Sequence, residues 1–587
     1  MRGCCLFVSR LAAALIFTLL TGLTVSGWED SDKSIEPIKL RPDDAPLRVV
    51  NGIVPGSHVK VFIPSLPYLY TSHAINGALI KPSGNARGWD YDMAVDHKQI
   101  DDTTYEFKLR QGVVFQDETP FNADAVVMNM ESFKDHPTLY SKIDTVFESC
   151  EKIDDYTVRF HLKEKYGCFM NDVIWMQFYT KEYLETNTDP ETGKKVGWNG
   201  KANCPNLSKE GPYGLGPYIL TEGYIEGNRH TPVTVLKANP HYYNKDYPRV
   251  ETITVYTDLE SVLAKDQVLY EEGRLDIAFI APEFKVETIL SPFAKLVTSI
   301  STDNLAIHIN MINGNPRLRQ TEVRRALNEA LNQQNLLHFV FENEGVVSPT
   351  QASPFFPGVG EVAKTLKAYS EVADPITKRA ELTRILNGLE LRVLTQERFM
   401  PLWRGIESQL KHVGVKLKID SKSSEVDVFG PLLQTNANKN TVQWDLLIWG
   451  NDDWFFNHPF TAFFVYRTKN VWSTVSRDEE MDALVDEMFR ASVFLPNSDK
   501  TDPEFVEICR KIMQRAYDRA YMLFVPTPNK VFAVNKEVIF KPYKMACFPL
   551  WEIQITDQHW SVRNGAYPDL LKKPVQIQRT LENRITE

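Results

Sequence analysis

Alternation of apolar and polar side chains is clearest at residues 104–109, where Tyr105, Phe107 and Leu109 interleave with Glu106 and Lys108. That two-residue period predicts a strand with one buried face. Gly112 predicts a turn, and Val113 to Phe115 form a second short apolar run. Pro120 and Asn122 then precede Ala125, Val126, Met130 and Phe133, which share one face of a predicted helix. The same reading continues down the chain. "VTVLKANPHYY" (233–243) and "VETITVYTD" (250–258) predict successive strands, and 259–280 predicts a helix stopped near Gly273 followed by a buried strand from Ile277 to Ile280. "LAIHINMI" (305–312) predicts another strand. The next helix has the clearest stripe: Val323, Ala326, Leu327, Ala330, Leu331 and Leu337 face in, while Arg324, Arg325 and Glu329 face out. Residues 400–420 predict a helix ending near Gly414 and then a strand, and "WDLLIWG" (444–450) predicts a further buried strand. Helices and strands alternate throughout, so the expected class is α/β with mixed sheets. No internal repeat or low-complexity linker is present, and the turn-rich passage 187–217 predicts a return from an inserted subdomain.

Composition adds an address. Arg2 and Arg10 bracket a basic start, Leu11 to Val25 is uncharged and mostly apolar, and Val25-Ser26-Gly27 supplies small residues. This predicts a signal peptide cleaved after Gly27, because the apolar run is shorter than the roughly 20 residues of a membrane span. Cys4 and Cys5 precede the run, so neither is a lipoprotein cysteine. Removing the leader, with two arginines and no acid, takes the net charge from −10 to −12. That balance argues against a nucleic-acid partner, which needs a positive footprint. Hydrophobic residues at 43% and charged residues at 24% are ordinary for a globular protein of several domains. The cysteines Cys150, Cys168, Cys204, Cys509 and Cys547 show no CxxC spacing, so zinc is not expected; one or two disulfides can form, in no assignable pairing.

The order of motifs resembles the bacterial extracellular solute-binding proteins of the oligopeptide, dipeptide and nickel class (family 5), the receptors of ABC importers. The phrase at 105–126, with Tyr105, Phe107, Leu109, Arg110, Gly112, Phe115, Asp117, Pro120 and Phe121, matches their signature. "GLGPYIL" (214–220), "ANPHYYN" (238–244), "EEGRLDIAF" (271–279) and "INMINGNPRLRQTEVRRALNEALNQQNLL" (309–337) follow in family order. The resemblance covers about residues 80 to 570. It implies a two-lobed periplasmic-binding-protein fold of the type II kind, with mixed sheets and an extra inserted subdomain. The implied divisions are 46–79, 210–304 and 531–570 for the large lobe, 80–209 for the inserted subdomain, 305–530 for the second lobe and 571–587 for a tail. It also implies a monomeric periplasmic receptor that delivers a ligand to an inner-membrane permease, with no cofactor and no catalysis. Under this reading the opening phrase and "GLGPYIL" are scaffold. A phosphate loop is not expected without a lysine and hydroxyl at P-loop spacing.

The expected ligand loop is "WDLLIWGNDDWFFNHPF" (444–460), where a buried strand ending at Trp449 delivers Asn451, Asp452, Asp453 and Trp454. In the peptide-binding branch an aspartate here pairs with the ligand's α-ammonium group, and both Asp452 and Asp453 fit a register. Carboxylates beside large aromatic faces favour a cationic amine with apolar bulk. Arg398, after the strand at 391–394, resembles the arginine some dipeptide receptors use for the ligand's carboxylate. Tyr70, Ser72 and His73, in "PSLPYLYTSH" (64–73), occupy the place of the first cleft-lining loop. Two alternatives stay open. His458, in "NHPF", resembles a histidine of the nickel branch and suggests metal or metal-chelate capture, although residues 176–179 lack that branch's arginines. An exported hydrolase would need GxSxG, HExxH or SxxK contexts, which are missing.

Overall fold

The strongest apolar runs become sheet interiors. Every residue of the strand Lys530–Asn535 is buried: Phe532 and Val534 enter the main core, while Val531 and Ala533 point to a smaller cluster with Ala264, Val268 and Leu275. A strand covered on both faces needs no polar alternation. This computed structural model describes residues 47–563, apart from 50–51, 65–66, 136–140, 189–206, 227–228, 373, 469 and 497, together with 575–577. The leader, its cleavage site, Cys204 and most of the turn-rich passage and tail lie outside the described residues.

Lys530–Asn535 belongs to a seven-stranded mixed sheet in the order Ala294–Ser299, Lys530–Asn535, Ile277–Phe279, Val54–Phe62, Val250–Tyr256, Val233–Ala238, Tyr218–Glu222. Val54–Phe62 runs parallel to both its neighbours, and the outer pairings are antiparallel. A second mixed sheet has the order Lys416–Lys422, Glu390–Gln396, Leu446–Asn451, Asn304–Ile309, Met522–Leu523. Glu390–Gln396 is parallel to its neighbours, whereas Asn304–Ile309 is antiparallel to Leu446–Asn451 in register Asn304 to Asn451. A four-stranded antiparallel sheet, Ala94–Gln99, Thr104–Leu109, Thr157–Leu162, Phe147–Asp154, makes the third. This is the two-lobed α/β fold: the two mixed sheets are joined at residues 299–304 and 523–530, so the chain crosses between lobes at least twice.

The opening phrase holds the scaffold together. Gln116 accepts the amide N–H groups of Tyr213 and Gly214 at 3.2 and 3.0 Å, and donates to the carbonyls of Ile75 and Tyr218 at 2.9 and 2.7 Å. Gly214 and Gly216 allow this close approach, because a Cβ at either would collide with the Ala74 or Ile75 carbonyl. The phrase thereby clamps the "GLGPYIL" turn onto the helix Pro67–Ile75.

Three local expectations are corrected. Residues 67–75 form a helix rather than a loop, and all nine are buried; a helix covered on every side shows no amphipathic stripe, and Pro67 suits its first turn. The stripe from 321 to 339 is two helices, Thr321–Glu329 and Gln333–Phe339, because the Asn332 side chain accepts the Asn335 amide and starts the second. Arg324 faces in, at 3% exposure. Its guanidinium donates to the carbonyls of Leu318, Arg319, Arg519 and Ala520, which satisfies backbone acceptors at the turn ending the helix Pro503–Arg519. The four described cysteines, Cys150, Cys168, Cys509 and Cys547, are free thiols.

Candidate ligand cleft

The strand Leu446–Asn451 alternates cleanly, with Leu446 and Ile448 in the main core and Leu447 and Trp449 against Val428, Leu432 and Trp444. Asn451 ends its pairing opposite Asn304. The next two residues then part ways. Asp453 is fully buried. Its carboxylate accepts the Thr302 hydroxyl at 2.6 Å and the Asn457 amide at 2.8 Å. Its own N–H donates to Asp303 at 3.1 Å, and its carbonyl accepts the Ala546 amide at 3.3 Å. Asp453 therefore braces the crossing segment at 302–303 against the return segment at 544–546. Burial pushes its carboxyl up to about 7 against the pull of the Thr302 hydroxyl.

Asp452 is half-buried, and its carboxylate accepts no hydrogen bond among the described residues. Burial first, and the neighbouring Asp303 carboxylate second, push it up to about 7, with Arg398 and Lys530 opposing. Among the described residues Asp452 forms no ion pair, and Arg398 and Lys530 act on it only through their charge. Around it the structure gathers three groups from separate segments. Tyr70, on the helix Pro67–Ile75, has its phenol held well above the usual range by burial, then by Asp452 and Asp303, with Arg398 opposing. Arg398 stands exposed after the strand Glu390–Gln396, its Nε donating to Gln396 at 3.0 Å and its guanidinium 4.8 Å above the Phe399 ring. Lys530 faces Asp303 at 3.3 Å. Acid, phenol and guanidinium thus share one electrostatic neighbourhood between the lobes.

The aromatic residues form its flank. Trp449 is half-buried, 5.4 Å from Phe429 and 5.7 Å from Trp472. Trp472 leads through Phe464 at 6.4 Å to Trp454 at 5.9 Å. The Trp454 carbonyl accepts the Trp175 indole N–H at 2.8 Å. Phe455 and Phe456 are wholly buried, so they support the loop.

Ser72 and His73, on the same helix, are taken up by the interior. The Ser72 hydroxyl accepts the Gln177 amide at 2.9 Å. His73 lies 3.0 Å from the Ile174 carbonyl and between Trp175 and Phe456, where burial lowers its pKa to about 4. His458 is enclosed as well: its Nδ1 accepts the Phe460 amide at 3.1 Å, its Nε2 lies 3.3 Å from Cys168 Sγ, and burial lowers its pKa to about 3. Among the described residues, no group of three or more His, Cys, Asp or Glu side chains is placed to hold a metal ion. Asp303 and Lys530 were not legible in the sequence. They come from segments 150 and 77 residues from Asp453, Asp303 linked to it by the 3.1 Å bond and Lys530 within reach of its charge, and no local pattern announces either.

The model of bacterial extracellular solute-binding proteins, family 5 (middle), matches residues 88–472 of this chain. The chain belongs to this family. Within it, the family-5 protein described here is similar to the glutathione-binding protein GsiB of Pectobacterium atrosepticum, at 24% identity over 394 residues, 64% of this chain and 71% of that one. Two solved structures share its fold. NikA from Brucella suis, in complex with Fe(III)-EDTA, superposes with a TM-score of 0.67 at 17% identity, covering 85% of this chain and all of that one. DppA from Helicobacter pylori, in complex with the peptide STSA, gives 0.64 at 15% identity over 85% and 98% of the two chains. No helix among the described residues is long and apolar enough to cross a membrane.

Proposed function

We propose that this family-5 protein is an exported, monomeric receptor that captures short peptides between its lobes and hands them, unaltered, to an ABC permease. The observation that carries the reading is Asp452: a half-buried carboxylate without a hydrogen-bond donor, placed with Tyr70 and Arg398. A peptide ammonium on Asp452 relieves the raised carboxyl, and the guanidinium of Arg398 receives a carboxylate. The flank of Trp449, Trp472 and Trp454 offers apolar and cation-tolerant faces for side chains. Two similar proteins support the choice of ligand, one named for glutathione, itself a short peptide, and one bound to the peptide STSA. Metal-chelate capture finds less support, because His458 is enclosed among Cys168, Phe455 and Phe505. In this reading the lobes follow the sheets: 46–79, 210–304 and 531–570 build the large lobe, 80–209 its insertion and 305–530 the second lobe. The leader directs the chain to the periplasm and leaves after Gly27.

Calorimetric titration of the mature protein with tri- to pentapeptides tests this. Free peptides are expected to bind, and their N-acetylated forms to bind at least about thirtyfold more weakly, the loss of a charge-assisted bond of roughly 2 kcal/mol. Equal affinity for free and acetylated peptides, or release of cleavage products, overturns it.

A further inference from the structure

A second cavity, of about 720 Å³, is lined by none of the cleft residues. It opens where the hairpin of Ile80–Pro82 and Trp89–Tyr91 meets the turn after Val233–Ala238 and the return segment before Gln554–Ile555. Its volume lies in the range of about 300 to 1,000 Å³ typical of small-molecule sites. Its walls are unusually aromatic, with Tyr91, Tyr243, Tyr247, Tyr543 and Trp551 all facing it.

The charged groups on the rim divide by how well they are satisfied. Glu552 accepts the Tyr543 hydroxyl, Asp90 accepts the Tyr91 amide at 2.8 Å, and Lys245 donates to the Tyr242 carbonyl at 2.9 Å. Two cations are left with spare donors. Lys81, only 17% exposed, finds its nearest acceptors at the Tyr242 hydroxyl, 3.4 Å, and the Asp92 carboxylate, 3.7 Å, both at or beyond ordinary hydrogen-bond reach. Arg110 lies 4.3 Å above the Tyr243 ring and gives only its Nε–H, to the Asp92 carbonyl at 3.0 Å. Its terminal nitrogens have no hydrogen-bond partner among the described residues. Asp92, buried beside both cations, already accepts the Tyr243 hydroxyl at 3.1 Å and the Tyr242 hydroxyl at 3.4 Å, and its carboxylate receives no hydrogen bond from the Arg110 guanidinium, which instead reaches its backbone carbonyl. The cavity therefore presents aromatic faces and cationic groups with spare donors, beside acids that each already accept a hydrogen bond.

We propose that this cavity is a second ligand site, separate from the interlobe cleft, that takes a small planar carboxylate. The ring stacks among the tyrosines and Trp551, and the carboxylate bridges Lys81 and Arg110.

Benzoate and 4-hydroxyphenylacetate are titrated into the mature chain by calorimetry, with benzamide and cyclohexanecarboxylate as controls lacking the charge or the planar ring. Saturable one-to-one binding of the two aromatic carboxylates is expected, with both controls weaker by at least about tenfold, the value of one charge-assisted contact. Lys81→Met should weaken benzoate by a similar factor. Since Lys81 also faces buried Asp92, Val95→Trp, at a 45% exposed position on the cavity lining, blocks the site without touching that pair and should abolish binding. Asp452→Ala should leave benzoate binding unchanged. No saturable binding, binding unaffected by Val95→Trp, or binding lost in Asp452→Ala overturns the proposal. The last of these would place the probe in the cleft, so failure here leaves the peptide reading standing.

Discussion

At the scale of single residues, two adjacent aspartates with the same chemistry in the sequence carry different tasks. The pair was legible as a pair; its division was not, because it depends on Thr302, Asp303 and Lys530, which arrive from distant segments. Asp453 is a brace, and its carboxyl is raised to about 7 by burial, above the unfolded value of about 3.9. A raised acid favours the folded state below the unfolded pKa, and that contribution is lost as pH rises through the folded pKa. Asp453→Asn, which keeps an acceptor for Thr302 and Asn457, is therefore expected to flatten the fall in melting temperature between pH 5 and 8. Asp453→Ala leaves those donors unpaired and should cost about 1 to 3 kcal/mol in denaturant unfolding. An Asn variant with the wild-type pH profile would show that Asp453 does not titrate in this range.

Asp452 titrates for a different reason and predicts a binding signature. Its carboxyl is raised to about 7 in the ligand-free protein, and an ammonium ligand requires it ionised. Peptide affinity should peak between about pH 7 and 8, fall by up to about tenfold per unit below pH 7 as Asp452 takes up a proton, and fall again above pH 8 as the peptide's own amino group, with an ordinary pKa near 8, loses its charge. Asp452→Asn should bind weakly at every pH, without that slope. A wild-type affinity constant from pH 5 to 8 would mean an ordinary carboxylate or a different anchor.

At the scale of elements, the legible parts were those whose periodicity had one exposed face. The strand Thr104–Leu109, the helix Ala123–Asp135 and the helix-to-strand passage through Gly414 all follow their patterns, with Gly414 supplying the positive φ of +81° that ends the helix. The helix Pro67–Ile75 was hidden because it is buried all round, and it is the element that carries Tyr70. Arg324 misled for the converse reason: a charged residue on a stripe boundary reads as solvated unless its carbonyl partners are known. Those partners predict that Arg324→Met is destabilising by about 3 kcal/mol or more, since several buried carbonyls lose their donor at once. Chemical denaturation checks this, and a change below 1 kcal/mol, the scale of a surface substitution, would show that water replaces the guanidinium.

For the whole molecule, family motifs in register made the two-lobed architecture readable, because each marks a scaffold element fixed by packing. The proposed cleft was less readable, since residues 70, 303, 398, 452 and 530 each come to it from a different segment. Together these residues carry the proposal that an unpaired carboxylate between two lobes selects a peptide's amino terminus. The most direct test is mass spectrometry of whatever the mature protein retains through purification, released by denaturation and compared with the same preparation of Asp452→Ala. Short peptides with free amino termini are expected from the wild-type protein, with their depletion from the variant. Recovery of a metal chelate, or of the same peptides in equal amount from both proteins, would contradict it.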